Sequence, residues 1–532
     1  MKKSILALGA AAVVGGLGFA GTAQAMAYFG PGSGTDATEM VLNPGGIGHE
    51  LYVPYYTAQG NTATLLSITN TDLENGKVVK VRFRGAANSD DVFDFTLYLS
   101  PGDVWAGMVT KNTAVDSRGY AVISTTDKSC TVPYEAESPW HAGTPFHDDR
   151  FAPYATAEQK AANTREGYVE ILNMADVPKV YAAQATNTGK PNALWTAIKH
   201  VGGVAPCTAS VIDPVSADTG FFTNGVVGAE TAGLAGATGG LMGGWIIIDQ
   251  SNMSQFSGNA VAIAANGRAN IAVSAQMEGY YGVADAVTTD PLLIGNSPIV
   301  EPQWFDFPDM STPMVPFPTS THAPASQAVM ISEQLAKSAS QVINEFLNDP
   351  NGAVPMNSDW IVSQPSRRYF AAVDYRTTPS GATTGPRIVY NVTTPEILPN
   401  HNPYWTGDAA TGHGVLTLKD MAGGPQACLT GKFSKVYDRE ESTSSTRPVL
   451  SPTINQAALY CGEVLSLSFG RSPLSANLTN LQTNGYPAEG WGQLGLTQGD
   501  APLPIIGFAA LNGYNGSAAV GATWPHRWYY GN

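Results

Sequence analysis

Apolar and polar positions alternate with period two through much of this chain. Val79, Val81 and Phe83 alternate with Lys80, Arg82 and Arg84. Phe93, Phe95, Leu97 and Leu99 alternate with Val92, Asp94, Thr96 and Tyr98. Each pattern predicts a strand with one face buried and one wet. Turn signals separate the strands: Asn70-Thr71-Asp72, the Asn75-Gly76 hairpin pair, and Pro101-Gly102-Asp103. Short strands at such intervals over Leu51–Ile123 predict an antiparallel sandwich. Residues 131–165, rich in Pro, His, Asp and Ala, read as a loop excursion with a short helix near Ala155–Ala162. Strand character returns at residues 167–172, 245–248, 260–264 and 270–275, while the Gly/Ala-rich stretch 225–244 reads as a loop.

One segment carries the helical period. From Ser326 to Asn348, the residues Ile331, Leu335, Val342, Ile343, Phe346 and Leu347 fall on one stripe at spacings of three, four and seven. Ser326 is placed to cap its start, and Asp349-Pro350-Asn351-Gly352 to stop it. Strands follow at residues 359–362, 368–373, 387–390, 457–460, 464–469 and 504–508. The expected fold is mainly β, with antiparallel β-sandwich domains and one long amphipathic helix between two β regions. The expected divisions are a signal peptide over 1–25, a flexible lead over 26–47 and a β-sandwich region over 48–300. A linker with the helix at 326–348 fills 301–354, and a second β-rich region runs over 355–532. No period repeats cleanly, which argues against a solenoid.

The amino terminus adds a location. Lys2 and Lys3, the apolar run Ile5–Phe19 and the small–x–small triplet Ala23-Gln24-Ala25 follow the order of a secretory signal. The run is short and Gly-rich for a membrane span, and nothing after it approaches one. The chain is expected to be exported to the cell surface or beyond, with the periplasm as the alternative. There Cys130, Cys207, Cys428 and Cys461 read as structural disulfides. Three pairings are open, and the sequence-local one is Cys130–Cys207 with Cys428–Cys461.

Charge changes the picture further. Only 13% of residues are charged, against roughly 25% in an average soluble domain. Such a neutral, polar surface suits close lateral packing of copies. The net charge of −15 argues against nucleic acid and anionic lipid as partners and is compatible with bridging divalent cations.

Candidate chemistry is sparse. Asp218-Thr219-Gly220 spells the aspartic-protease triplet, but a second copy is missing and Pro214-Val215-Ser216-Ala217 is no apolar strand, so it reads as a turn. There is no Gly-x-Ser-x-Gly, His-Glu-x-x-His, C-x-x-C or phosphate loop, and no dinucleotide fingerprint after a strand. Haem, nucleotide and flavin are therefore not expected, and the chain reads as non-enzymatic. His141 and His147 with Asp148 and Asp149 read as a polar loop. Two oxygen-rich sets suit calcium: Asp90, Asp91 and Asp94, and Asp349, Asn351, Asn357 and Asp359. Neither matches the twelve-residue calcium loop with its closing Glu. Trp140, Trp195, Trp304, Trp405, Trp491, Trp524 and Trp528 could fill cores or line a sugar-binding surface.

Several strings carry a resemblance: Leu51-Tyr52-Val53-Pro54-Tyr55-Tyr56, Leu97–Trp105, Arg165–Ile171, Ser358–Pro365 and Leu503–Phe508. Together they resemble a family of secreted proteobacterial cell-surface proteins, some described as surface-layer proteins. The resemblance implies a structural role at the outer-membrane surface or on its polysaccharide, with self-association, and brings no catalytic residues. The alternatives are a secreted adhesin or glycan-binding module, and a hydrolase whose site is assembled from distant residues.

Overall fold

The structure is a computed structural model that describes residues 27–29, 36–132, 143–148, 151, 155–217, 221–251, 253–269, 271–273, 330–336, 341–375, 386–390, 404, 415–440, 449–450, 458–474, 476, 480–484, 487–498, 501–515 and 518–528. The signal-peptide residues, residues 301–329, Trp140, His141, Asp149, the triplet 218–220, Trp304 and Trp405 lie outside them.

In chain order the first half contributes β1 (Met40–Asn43), β2 (Glu50–Thr57), β3 (Thr62–Asn70), β4 (Gly76–Gly85), β5 (Asp91–Leu99), β6 (Val104–Lys111), β7 (Ala121–Ser124) and β8 (Cys130–Val132). Then come α1 (Ala157–Thr164), β9 (Glu166–Val177), α2 (Ala193–Ile198), α3 (Ala209–Ala217), α4 (Phe221–Thr231), β10 (Leu241–Asp249), β11 (Ser254–Asn259) and β12 (Val261–Ala265). One seven-stranded sheet has the order β8-β5-β4-β9-β2-β12-β1. The other runs Thr144–Pro145, β7, β6, β3, β10, β11, with Ile47–Gly48 also pairing β10. Both are antiparallel and stack through one apolar layer, in which Phe95 meets Trp105 at 5.2 Å and Leu51 and Ile171 reach Gly243. Gly107 exists for that layer: a Cβ there would sit 2.4 Å from the Trp105 indole. The expected sandwich is thus present, and the short helix of the excursion forms as α1. The supposed flexible lead is partly ordered, since β1 pairs β12 as the sheet's edge. The Gly/Ala-rich loop expected at 225–244 instead contains most of α4 and the start of β10.

The second half contributes β13 (Gln341–Asp349), β14 (Met356–Ser363), β15 (Gly424–Asp438), β16 (Ala458–Cys461), β17 (Val464–Phe469), β18 (Glu489–Gly495), β19 (Ile506–Asn515) and β20 (Ala518–Pro525). These belong to an eleven-stranded sheet in which β15, β18, β13, β14 and β17 are successive neighbours. β19 adds to β14 and β20 to β19. The expected helix over 326–348 is corrected here. Among the described residues of that span, 330–336 are helical and 341–348 belong to strand β13. Val342, Asn344 and Phe346 are buried while Gln341 and Glu345 are exposed. A four-residue spacing such as Val342 to Phe346 satisfies both a helical stripe and a period of two, and pairing with β18 selects the strand.

A second correction concerns β4. All ten of its residues are buried, so the face carrying Lys80, Arg82 and Arg84 is not wet. One end of that face lies beneath α2 and α3, where Val78, Tyr98, Leu172 and Met174 pack with Leu194, Ile198 and Ile212. The other end lies beneath the second half, and one continuous apolar core joins both halves.

His526 anchors the carboxy-terminal strand. Its Nε2 donates to the Ile361 carbonyl at 2.8 Å and its Nδ1 accepts from Asn344 Nδ2 at 3.0 Å. Both contacts suit the neutral ring, and burial lowers its pKa from 6.5 to about 4. A depressed folded-state pKa leaves the stabilisation intact above 6.5 and removes it as pH falls towards 4. Acidification through that window is expected to cost up to roughly 3 kcal/mol at this site. Denaturant titrations at stepped pH should show a flatter dependence in His526→Gln; an unchanged slope would assign the proton uptake elsewhere.

Candidate functional site

The structure disperses the residues considered for calcium. Asp94 is buried and accepts from Lys80 Nζ at 2.6 Å. Asp90 accepts from the Tyr375 hydroxyl at 2.9 Å, and Asp91 stands opposite Arg84 in the β4–β5 ladder. Asp349 and Asn351 share a surface turn, in which the Asn351 N–H donates to Asp349 Oδ1 at 3.3 Å. Asp359 is buried in β14, accepts from Ser472 Oγ at 2.5 Å, and is pushed by burial up to about 7. Asn357 accepts from the Arg471 N–H at 3.2 Å. Among the described residues no group of three or more His, Cys, Asp or Glu side chains is arranged to hold a metal ion. The two disulfides are Cys130–Cys207 and Cys428–Cys461, the sequence-local pairing.

The acidic and basic residues of β4 and β5 instead form a buried seam between the halves. Cross-strand register places Asp94, Arg82, Glu170 and Tyr52 in one row across β5, β4, β9 and β2. The Tyr52 hydroxyl donates to Glu50. From the second half Arg368 donates to Glu170. Arg367 donates to Glu463 at 2.8 Å and to the Ala427 and Gly462 carbonyls. Burial pushes Glu50 and Glu463 above the usual carboxylate range, and Arg367 holds Glu463 back. The β4–β5 turn completes the joint: Asn88 donates to Tyr375 and to the Pro425 carbonyl, and the Glu463 N–H to the Ala86 carbonyl at 2.7 Å. Opposite charges meet inside the protein. The seam fastens the halves.

Burying these groups has a consequence outside. Lys77, Lys80, Arg82, Arg84, Arg165, Arg367 and Arg368 are all buried, a quarter of the chain's 28 basic residues. Fewer charged groups therefore reach the surface than the sequence count implies.

The outer face of the second seven-stranded sheet is uncharged at the positions its strands turn outward. Outward positions of β6 are Val104, Ala106, Met108 and Thr110; those of β3 are Leu65, Ser67 and Thr69. β10 presents Met242, Gly244, Ile246 and Ile248, and β11 presents Gln255, Ser257 and Asn259. Register aligns Met108, Leu65, Ile246 and Ser257 in one row, and Val104, Thr69, Met242 and Ile47 in another. Val104 is 48% exposed, Met242 42% and Met108 38%. None of these outward positions is charged. Four strands at ~4.8 Å spacing and seven residues at ~3.4 Å rise cover on the order of 450 Å², comparable to the largest patch an ordinary monomer leaves uncovered. Sequence reading assigned strand character here but did not single out this face. Leu241–Asp249 is apolar on both faces, so its pattern resembles that of a fully buried strand and does not mark the exposed side.

No helix among the described residues is long and apolar enough to cross a membrane. No family model, no curated protein and no solved structure matches the chain.

Proposed function

We propose that this chain is an exported, non-enzymatic structural protein of the cell envelope that associates laterally with copies of itself. The uncharged outer sheet face carries the reading. A face bearing net charge repels its own copy when two identical surfaces meet about a two-fold axis, and this one does not. Its breadth is about half of the ~800 Å² per partner buried in a standard interface, so it forms the centre of a contact whose rim comes from neighbouring strands. Two disulfides and the amino-terminal signal pattern support residence outside the cytoplasm. The sequence resemblance to secreted cell-surface and surface-layer proteins points the same way.

The test is sedimentation of the purified chain over a concentration series, with negative-stain imaging of the pelleted material and of material shaved from cells. Wild type is expected to associate and to form sheets. Ile246→Asp is expected to weaken association at least about a hundredfold, since an unpaired charge in a desolvated contact costs roughly 3 kcal/mol. Association through this face needs no bridging cation, so chelator should leave it unchanged. A wild type that stays monomeric at high concentration, or an Ile246→Asp protein that assembles normally, would sink the proposal.

A further inference from the structure

A second feature lies far in sequence from that face. β13 and β14 pair only at Asn348↔Asn357 and Asp349↔Met356, then part company. Side chains bridge the split: Ser358 Oγ accepts from the Leu347 N–H at 2.9 Å and Trp360 Nε1 donates to the Glu345 carbonyl at 2.8 Å. Above the split opens a cleft of about 410 Å³ lined by Trp491, Trp524, Glu345, Glu489 and Asp438. That volume falls within the roughly 300–1,000 Å³ of small-molecule sites.

The cleft combines aromatic faces with fixed acceptors. Register puts Tyr437, Trp491 and Glu345 in one row across β15, β18 and β13. Tyr437 stacks on Trp491 with centroids 5.0 Å apart and planes 18° apart, which holds the indole's orientation. Trp524 enters from β20 and is only partly buried. Arg527 pairs with Glu345 at 3.3 Å, and Arg439 pairs with Glu489. These pairs orient both carboxylates, yet the two side chains remain 63% and 33% exposed. Indole faces offer a large, rigid apolar platform, and ionised carboxylates accept strong hydrogen bonds from hydroxyls. Pyranose rings have the complementary chemistry, with an apolar C–H face and a rim of hydroxyl donors.

We infer that this cleft binds a neutral polysaccharide, with sugar rings laid on Trp491 and Trp524 and hydroxyls donating to Glu345, Glu489 and Asp438. The cleft is separate from the outer sheet face, although β20 touches that sheet's edge strand β11 through Thr523 and Ser257. It would let the protein hold a glycan surface while its copies pack side by side.

Intrinsic fluorescence and calorimetric titrations of the full chain would use cellohexaose, maltohexaose, xylohexaose and N-acetylchitohexaose as neutral probes, with a glucosamine hexamer as the cationic control. At least one neutral oligosaccharide is expected to bind saturably and shift tryptophan emission. Trp491→Ala and Trp524→Ala should each weaken it at least about tenfold, the effect of truncating a central aromatic anchor, while Trp491→Phe retains most of it. Circular dichroism and thermal melts establish that the variants are folded. Binding by none of the four, or undiminished binding in folded Trp491→Ala, overturns the inference. Tight binding confined to a cationic glucosamine oligomer and abolished by salt also overturns it, because the cleft would then read charge. Trp491→Ala should still assemble, and Ile246→Asp should still bind sugar, so failure of either reading is seen separately.

Discussion

Glu170→Ala is expected to destabilise the protein by about 3–5 kcal/mol, the usual penalty for leaving buried charge without its partner. Glu170 sits between Arg82 of β4 and Arg368 of the second half, with Arg84 Nη2 at 3.9 Å from its other oxygen. All four side chains are buried. Removing the carboxylate leaves three guanidinium groups facing one another where water does not reach them. Chemical denaturation at pH 7 measures the loss. A drop below about 1 kcal/mol would mean that the seam is hydrated and that the halves are held by apolar packing alone. Arg368→Met offers the complementary test: it removes one cation and fills its volume, and should cost less than Glu170→Ala because Arg82 and Arg84 still face Glu170.

Opening the Cys130–Cys207 bond should cost about 4–5 kcal/mol in the chain-entropy model for its 77-residue separation, and opening Cys428–Cys461 about 3–4 kcal/mol for 33. The consequences differ by place. Cys130 lies on edge strand β8, and Cys207 on the segment leading to α3. The first bond therefore pins the helical layer over one end of β4 and β5, helped by the Tyr98–Ser216 hydroxyl contact at 2.9 Å. The second joins direct neighbours in the β15–β16 ladder, already held by backbone hydrogen bonds. Hydrogen exchange in Cys130→Ser/Cys207→Ser should rise first in α2, α3 and α4. Exchange in Cys428→Ser/Cys461→Ser should rise near β16. Uniform loss of protection throughout would show that neither bond has a local role.

Elements with one unambiguous local signal were legible from sequence. Arg387–Tyr390 and Val464–Phe469 form strands with the expected ends, because β-branched and aromatic residues are bounded there by turn-forming ones. β13 was not legible, because Val342 and Phe346 fit two periods and only pairing with β18 distinguishes them. The cleft was half legible. Trp491 and Trp524 stood among seven candidate tryptophans, but their meeting with Glu345 depends on a strand more than a hundred residues away in sequence. The outer sheet face escaped attention for a different reason: uncharged strands give the same pattern whether covered or bare.

By itself the sequence determined the strand-rich class, the sandwich and the low charge, since these follow from local periodicity, turn chemistry and composition. Tertiary structure decided what each polar face means. The alternation of Lys80, Arg82 and Arg84 with apolar residues specifies a two-faced strand, yet says nothing of what lies on the polar face. Here Asp94, Glu170 and Arg368 arrive from other elements and turn that face into an interior joint. Meanwhile the apolar face formed by Met108, Leu65 and Ile246 is left exposed. Polarity is a property of the side chain, whereas burial is a property of what the rest of the chain places against it.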